Sequence, residues 1–358
     1  MQKVAIVYDR VNKWGGAERV LLALHEIYPK APLYTSVYDA KKASWAKVFP
    51  RVYTSFLQNV PFAKSNHELF APLMPLAFFL FDFSKFDLVI SVTSEAAKNI
   101  RTKGRTLHIC YCLTPTRYLW SGYKEYFKKK LLKNITKPIV SIMRFLDKSA
   151  ADRPNVIVAI SGEVQKRIKK YYKRNSVVIH PPVNISKTQK HKDAKYYLLV
   201  SRLDFGYKKV DLAISAFNKL GLPLVIVGAG REEKKLKKIA GDSIIFAGRV
   251  EEEKLSNYYR NAKALIMPQE EDFGIVSVEA QSYGVPVIAF GRGGATDTVL
   301  NKKTGLFFNK QTPASLISAV RIFEKSKFEA KLVRANANRF SKKVFEKRIL
   351  DLVKKMLN

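Results

Sequence analysis

The chain has 358 residues, above the roughly 250–300 at which a single hydrophobic core stops growing, so two domains are expected. Hydrophobic residues make up 47% and charged residues 26%, which excludes a wholly disordered chain. Lys and Arg number 64 against 30 Asp and Glu, a formal net charge of +34, and so strong an excess points to an anionic partner: phospholipid, a phosphorylated substrate or nucleic acid.

In chain order, Val4–Tyr8 reads as a first strand, followed by a loop from Asp9 to Arg19 that carries the pair Gly15-Gly16. A glycine pair between a first strand and a first helix suits close approach to a ligand, and equally a plain connecting loop. Leu33–Ser36 is a second strand. The apolar stretch Leu69–Phe81 holds 13 residues with Pro72 and Pro75 inside it, short of the ~20 needed to span a bilayer. Further strands are expected at Leu88–Val92, Leu107–Tyr111 and Val156–Ile160, with helices between. Cys110 and Cys112 fit neither a disulfide framework nor a CxxC site. The first residues also lack the long apolar core of a signal peptide, so a reducing cytoplasm is the expected compartment.

Charge is unevenly placed. Between Arg101 and Arg174 there are 19 basic and 4 acidic residues. Tyr118, Trp120, Tyr123, Tyr126 and Phe127 interleave there with Lys124 and Lys128–Lys130. The pattern suits a protein held peripherally on an anionic inner leaflet, against the plainer alternative of lysines coating every surface. A pI near 10 also fits a nucleic-acid-binding protein, but no recognisable nucleic-acid module occurs, and nucleic acid is not an expected partner.

His180-Pro181-Pro182-Val183-Asn184 and the polar run Lys187–Lys195 lie midway and read as a linker. The expected domains are 1–186 and 187–340, with 341–358 a terminal helix packing back on the first. Strands in the second half fall at Tyr196–Val200, Leu224–Val227, Ile244–Ala247, Ala264–Met267 and Val285–Ala289. Val210, Ala213, Ile214, Phe217 and Leu220 form one face of a helix ending near Gly221. Another helix runs from Ile275 to Tyr283 and stops at Gly284. Strands alternating with helices imply an α/β fold of two doubly wound parallel sheets facing across a cleft.

In open parallel sheets, ligands bind beyond the carboxyl ends of the strands. Those ends supply Ser201-Arg202-Leu203 with Lys208 nearby, Gly228-Ala229-Gly230, Gly248-Arg249, and Pro268 through Gly274 with Glu271 in it. One sheet edge would therefore hold cations, carboxylates and glycines, a setting for an anionic, hydroxyl-rich ligand. Each feature has a structural alternative: Gly228-x-Gly230 a tight turn, Arg202 and Lys208 a solvated pair, Glu271 and Glu279 an acidic helix start. Gly274 permits close backbone approach at a helix N-terminus, where the dipole favours phosphate.

Gly15-Gly16-Ala17-Glu18-Arg19, Ser201-Arg202-Leu203 with Lys208-Lys209-Val210-Asp211, Gly228-x-Gly230, Glu271-Asp272-Phe273-Gly274 through Glu279-Ala280, and Gly293-Gly294-Ala295 with Asp297 occur in that order. Together they resemble a retaining glycosyltransferase of family 4, the GT-B architecture, over essentially the whole chain. Tyr28–Thr35, Tyr111–Trp120, Val178–Val183 and Arg339-Phe340-Ser341 resemble a bacterial mannosyltransferase subgroup that builds surface polysaccharides. The resemblance implies an acceptor-side first domain and a nucleotide-sugar-binding second domain. It gives Arg202 and Lys208 to the donor pyrophosphate, Glu271 to the transferred sugar and Glu279 to the ribose. Phe273, Gly274 and Ile275 would offer backbone N–H groups, with Gly228, Gly230 and Arg249 also on the donor. Gly15 and Gly16 would approach the diphosphate from the opposite wall, and Thr114 and Arg117 would face the acceptor. It further implies GDP-mannose as donor, a lipid-linked or glycan acceptor, and no metal or other cofactor. UDP-sugar transfer within the same fold is the alternative. Leu113 stands where many members carry a sugar-contacting His, so that role does not transfer, and an inactive sugar-nucleotide binder is the further alternative.

Overall fold

The computed structural model describes residues 2–123, 130–189, 191, 194–204 and 206–357. The chain divides into two compact units, residues 1–182 with 345–358, and residues 183–344. The division falls at Pro182/Val183, ahead of the position expected from the lysine-rich run. Val183 N–H bonds the Phe340 carbonyl and Val183 bridges to Ser341, which ties this part of the linker into the second unit. The helix Lys342–Leu357 passes into the first unit from Phe345, whose buried ring meets Tyr111 edge-on.

The first unit holds a seven-stranded parallel sheet of β1 (Val4–Tyr8), β2 (Leu33–Thr35), β3 (Val52–Thr54), β4 (Leu88–Thr93), β5 (Leu107–Cys112), β6 (Val156–Ala159) and β7 (Val177–Val178). Their spatial order is β3-β2-β1-β4-β5-β6-β7. The second unit holds β8 (Tyr196–Val200), β9 (Leu224–Val227), β10 (Ile244–Gly248), β11 (Ala262–Met267), β12 (Val287–Phe290) and β13 (Gly305–Phe308), in the order β10-β9-β8-β11-β12-β13. Every described pairing between these strands is parallel. Strands covered by helices on both faces have no polar face, and β1, β4 and β5 are accordingly buried along their whole length. β3, β7 and β13 carry no clear sequence signal. The first two hold three and two residues, too few to establish alternation, and β13 begins with a glycine.

Helices form where the apolar spacing predicts them. Val210, Ala213, Ile214 and Phe217 are buried on one face of Val210–Leu220, and Gly221, at φ 66°, closes it by donating to the Phe217 carbonyl. No described helix is long and apolar enough to cross a membrane.

Buried polar groups tie the first sheet together. His108 on β5 lies fully buried with its Nε2 2.9 Å from Ser91 Oγ on β4. Burial, aided by the charge of Arg153, pushes its pKa down to about 3. The unfolded chain, with a His pKa near 6.5, binds the extra proton between those two values, so native stability falls as pH drops below about 6.5, by up to ~1.4 kcal/mol per unit. His108→Gln should flatten that limb. Urea midpoints of the two proteins from pH 4 to 7 check this, and parallel curves would contradict it.

Candidate active site

In the second sheet the chain runs β8-β9-β10 in one direction and then crosses back over β8 to β11. At such a reversal the loops leaving two adjacent strands diverge to opposite faces and open a crevice at their carboxyl ends. Here the two loops are Ser201–Leu203, after β8, and Pro268–Gly274, after β11. Lys208 ends a short turn, Gly206–Lys208, and its Nζ lies 2.5 Å from Glu271 Oε1. Gln269 Nε2 donates to the same oxygen at 3.0 Å. The two side chains are only 12% and 19% exposed, so the pair is screened from water far more than a surface ion pair.

Glycines let the backbone close around this edge. A Cβ on Gly228, at φ 142°, would lie 1.8 Å from the Ser201 carbonyl oxygen, and one on Gly230 would lie 2.3 Å from the Leu203 carbonyl carbon. The loops after β8 and β9 therefore touch main chain to main chain. Gly293 and Gly294 do the same for the loop bearing Glu271. The Gly294 N–H bonds the Glu271 carbonyl at 2.8 Å, and a Cβ on Gly294 would sit 2.3 Å from Phe273 Cα. Phe273 is buried edge-on against Phe340. Gly274, at φ 87°, then starts the helix Ile275–Ser282, whose first N–H groups follow directly on the acidic loop.

Sequence reasoning and geometry can be compared residue by residue. Lys208 and Glu271 are brought into contact, and Phe273, Gly274 and Ile275 continue the same loop. Gly228 and Gly230 line the neighbouring strand end. Arg202 follows β8 with its side chain exposed. Glu279 lies one turn into the helix, where it accepts a 2.8 Å hydrogen bond from the Tyr259 hydroxyl; Tyr259 stacks on Tyr283. Arg249 is exposed at the end of β10, two strands removed from β8.

The first unit reverses in the same way between β1 and β4. Gly15 and Gly16 open the helix Gly16–Ile27 beyond β1. Glu18 of that motif is buried and receives the Tyr8 hydroxyl at 2.8 Å, so it anchors the loop. Asp9, just past β1, is buried and accepts from Thr93 Oγ1 and from the backbone N–H groups of Ser94, Glu95, Ala96 and Ala97 at 2.7–3.1 Å. Burial and the charge of Glu95 nonetheless push its pKa up. Arg10 and Glu95 meet at 2.6 Å. Deeper, Lys98 and Asp147 pair at 2.6 Å, and Asp147 also accepts from Thr116, Trp120 and Tyr172. Thr114 follows β5 with its hydroxyl buried and lacking a hydrogen-bond partner. Arg117 is half-buried a turn later. Asp9, Arg10 and Glu95 went unassigned in the sequence; their position immediately after β1 and β4 is the signal that could have found them. A depression of about 430 Å³, lined by Asn155–Ile157 and Lys173–Val177, lies at the start of β6 and β7, the end that ligands of such sheets do not use.

Comparison with known proteins gives the following likenesses. The model of the family Glycosyl transferases group 1 matches residues 182–343. An uncharacterised glycosyltransferase of Methanocaldococcus jannaschii is 26% identical over 205 residues, 56% of this chain and 58% of that protein. A GDP-mannose-dependent alpha-(1-6)-phosphatidylinositol monomannoside mannosyltransferase of Mycobacterium tuberculosis is 36% identical over 113 residues, 28% of this chain and 29% of that one. The alignments thus leave a large part of each relative unmatched. Anabaena HepE, solved in complex with UDP-glucose, superposes with a TM-score of 0.73 at 18% identity, covering 99% of this chain and 100% of HepE. The chain has the GT-B fold, with two Rossmann-like sheets. The residues that the family model matches span nearly the whole of the second unit.

Gly104 and Gly228 separate two reasons for requiring glycine. Gly104, at φ 61°, has open space around it, so Gly104→Ala should lose only about 1–2 kcal/mol to the left-handed backbone. Gly228→Ala adds a collision with the Ser201 carbonyl and should lose more than about 3 kcal/mol. Denaturation midpoints decide, and equal losses would contradict the close contact.

Proposed function

We propose that the protein is a retaining hexosyltransferase that moves mannose from GDP-mannose to a lipid-linked or polysaccharide acceptor in cell-surface glycan synthesis, working at the inner face of the cytoplasmic membrane. The observation that carries the reading is the Lys208–Glu271 pair at the chain reversal of the second sheet. A sugar nucleotide has a diphosphate that needs a cation and a sugar whose hydroxyls need a carboxylate, and this pair supplies both from one point. The mycobacterial relative's name supports GDP-mannose. The UDP-glucose bound to HepE favours the second reading, a UDP-sugar donor in the same fold.

Cleavage of the sugar–phosphate bond leaves negative charge on the departing nucleoside diphosphate. In this reading Lys208 and Arg202 stabilise that charge, and a preorganised cation in a poorly hydrated site is the largest single contribution a protein can make. Lys208 turns from Glu271 toward the diphosphate, which frees Glu271 to receive the sugar hydroxyls. Phe273, Gly274 and Ile275 offer backbone N–H groups at the start of a helix, where its dipole favours the anion. Glu279 takes the ribose, Gly228 and Gly230 let backbone approach the donor, and Arg249 stands at the rim. With configuration retained, the leaving phosphate oxygen receives the acceptor hydroxyl's proton as the new glycosidic bond forms on the same face. Thr114, Arg117 and the Arg10–Glu95 pair are the polar groups offered to the acceptor.

Two measurements check the reading. Lys208→Ala should lower transfer or donor hydrolysis about 10²–10³-fold; an undiminished rate would refute the assignment. In a thermal-shift panel of GDP, UDP and ADP, the matching nucleotide at 100 times its Kd should add about 2.7 kcal/mol of stability. GDP is the nucleotide expected to do so; a UDP-specific shift selects the second reading, and no shift with any of them contradicts both.

A further inference from the structure

We infer that the first unit docks on an anionic lipid bilayer through one apolar face, built from the helix Lys130–Ala150 together with the segment Leu69–Leu80. The inference rests on the membrane part of the reading above and names the surface responsible.

Ile139, Ile142, Phe145 and Leu146 are all exposed, Phe145 at 70%. At 3.6 residues per turn they fall within an arc of about 120°. The protein itself covers the adjoining face, where Val140, Asp147 and Ala150 are buried. The apolar part of this helix is therefore wider than its own domain uses. The same is true of the apolar stretch that is too short to span a bilayer: Met74, Ala77 and Phe78 enter the core, while Leu69, Leu73, Leu76 and Leu80 remain exposed, Leu69 at 76%. The two segments are neighbours, since Ala71 and Pro75 line one small cavity with Met143 and Asp147. Scattered exposed apolar residues need no explanation, but a contiguous patch on two adjacent segments does.

Charge selects the occupant. The only acid in Lys130–Ala150, Asp147, is buried against Lys98, whereas Lys137 and Lys148 are exposed. The guanidiniums of Arg101 and Arg153 lie 4.8 and 5.3 Å from the centre of the Phe79 ring. Exposed Asp82 follows the second segment, beside Arg101, so cations outnumber acids around the apolar surface; that balance complements an anionic leaflet, with side chains inserted at the headgroup boundary and lysines on the phosphates. A second copy of the chain would bring the same cations face to face. The aromatic and basic residues Lys124, Tyr126, Phe127, Lys128 and Lys129 lie outside the described residues, and the inference stands without them.

Flotation of the full chain with phosphatidylcholine vesicles and with phosphatidylcholine–phosphatidylglycerol vesicles tests this. The protein should float with the anionic vesicles, and raised salt should weaken that binding without abolishing it, because apolar insertion is not screened. Ile142→Glu with Phe145→Glu should reduce the bound fraction about tenfold or more, and Leu69→Glu with Leu76→Glu should act in the same direction from the other segment. Thermal stabilisation by GDP or UDP, read on each variant, shows that it is folded and keeps the donor question separate from docking. Wild-type flotation by both double variants would overturn the inference, as would binding by neither vesicle type. Conversion of a dimer to a monomer by these substitutions, with vesicle binding unchanged, would overturn it in favour of an interface between copies.

Discussion

The crossover that returns over β8 to β11 is the constraint on which the site depends. It parts the loops after those two strands and puts Lys208 2.5 Å from Glu271. A lysine and a glutamate 63 positions apart meet only because the sheet is ordered β10-β9-β8-β11-β12-β13. Holding them there requires the main chain to pass unusually close at Gly228, Gly230 and Gly294. The glycines of this edge serve as spacing elements for a charged pair. In the proposed reaction that pair is the resting form of a diphosphate and sugar site, each ion neutralising the other until donor displaces them.

The first sheet repeats the topology with different chemistry. Its reversal lies between β1 and β4, and Asp9 there takes hydrogen bonds from four successive backbone N–H groups and two hydroxyls. That carboxylate fixes the loop carrying Glu95, and Glu95 in turn holds Arg10. Beneath it, Lys98 and Asp147 join the helix Lys130–Ala150 to the strand ends through Thr116, Trp120 and Tyr172. A buried ion pair gains its place only when its remaining hydrogen-bonding positions are filled, and Asp147 meets that condition with three further donors. The helix whose outer face is assigned to the bilayer is thus fastened to the sheet edge assigned to the acceptor.

Much of this was legible in the sequence. The strand runs from Val4, Leu88, Leu107, Val156, Tyr196 and Leu224 are long or strongly apolar, and the helix before Gly221 carries a full 3.6-residue period with its terminator. That Lys208 and Glu271 share one edge of the sheet was legible because each follows the carboxyl end of a strand. β3, β7 and β13 were not, since two to four residues give no period to read. Asp9 and Glu95 were invisible for another reason: a single carboxylate after a strand looks like any turn residue until the neighbouring strand is known. For Glu279 and Arg249 the structure adds surroundings. The resemblance assigns both to the donor; the hydrogen bond to Tyr259 and the outlying position of β10 come from packing that the sequence does not encode.

Charge and apolar surface complete the account. Lysine is abundant over the whole chain, so net charge alone does not select a partner; in the proposed docking the selection comes from exposed Ile142, Phe145, Leu69 and Leu76 with Lys137 and Lys148 exposed on the same helix as the first two. The central claim, however, is that a sugar nucleotide sits against the Lys208–Glu271 edge. Hydrogen–deuterium exchange with and without saturating sugar nucleotide tests it most directly. The account predicts slowed exchange in residues 201–208, 228–231 and 271–279, whichever base the donor carries. Unchanged exchange in those three segments, with protection confined to the lysine-rich region 166–174, would contradict it.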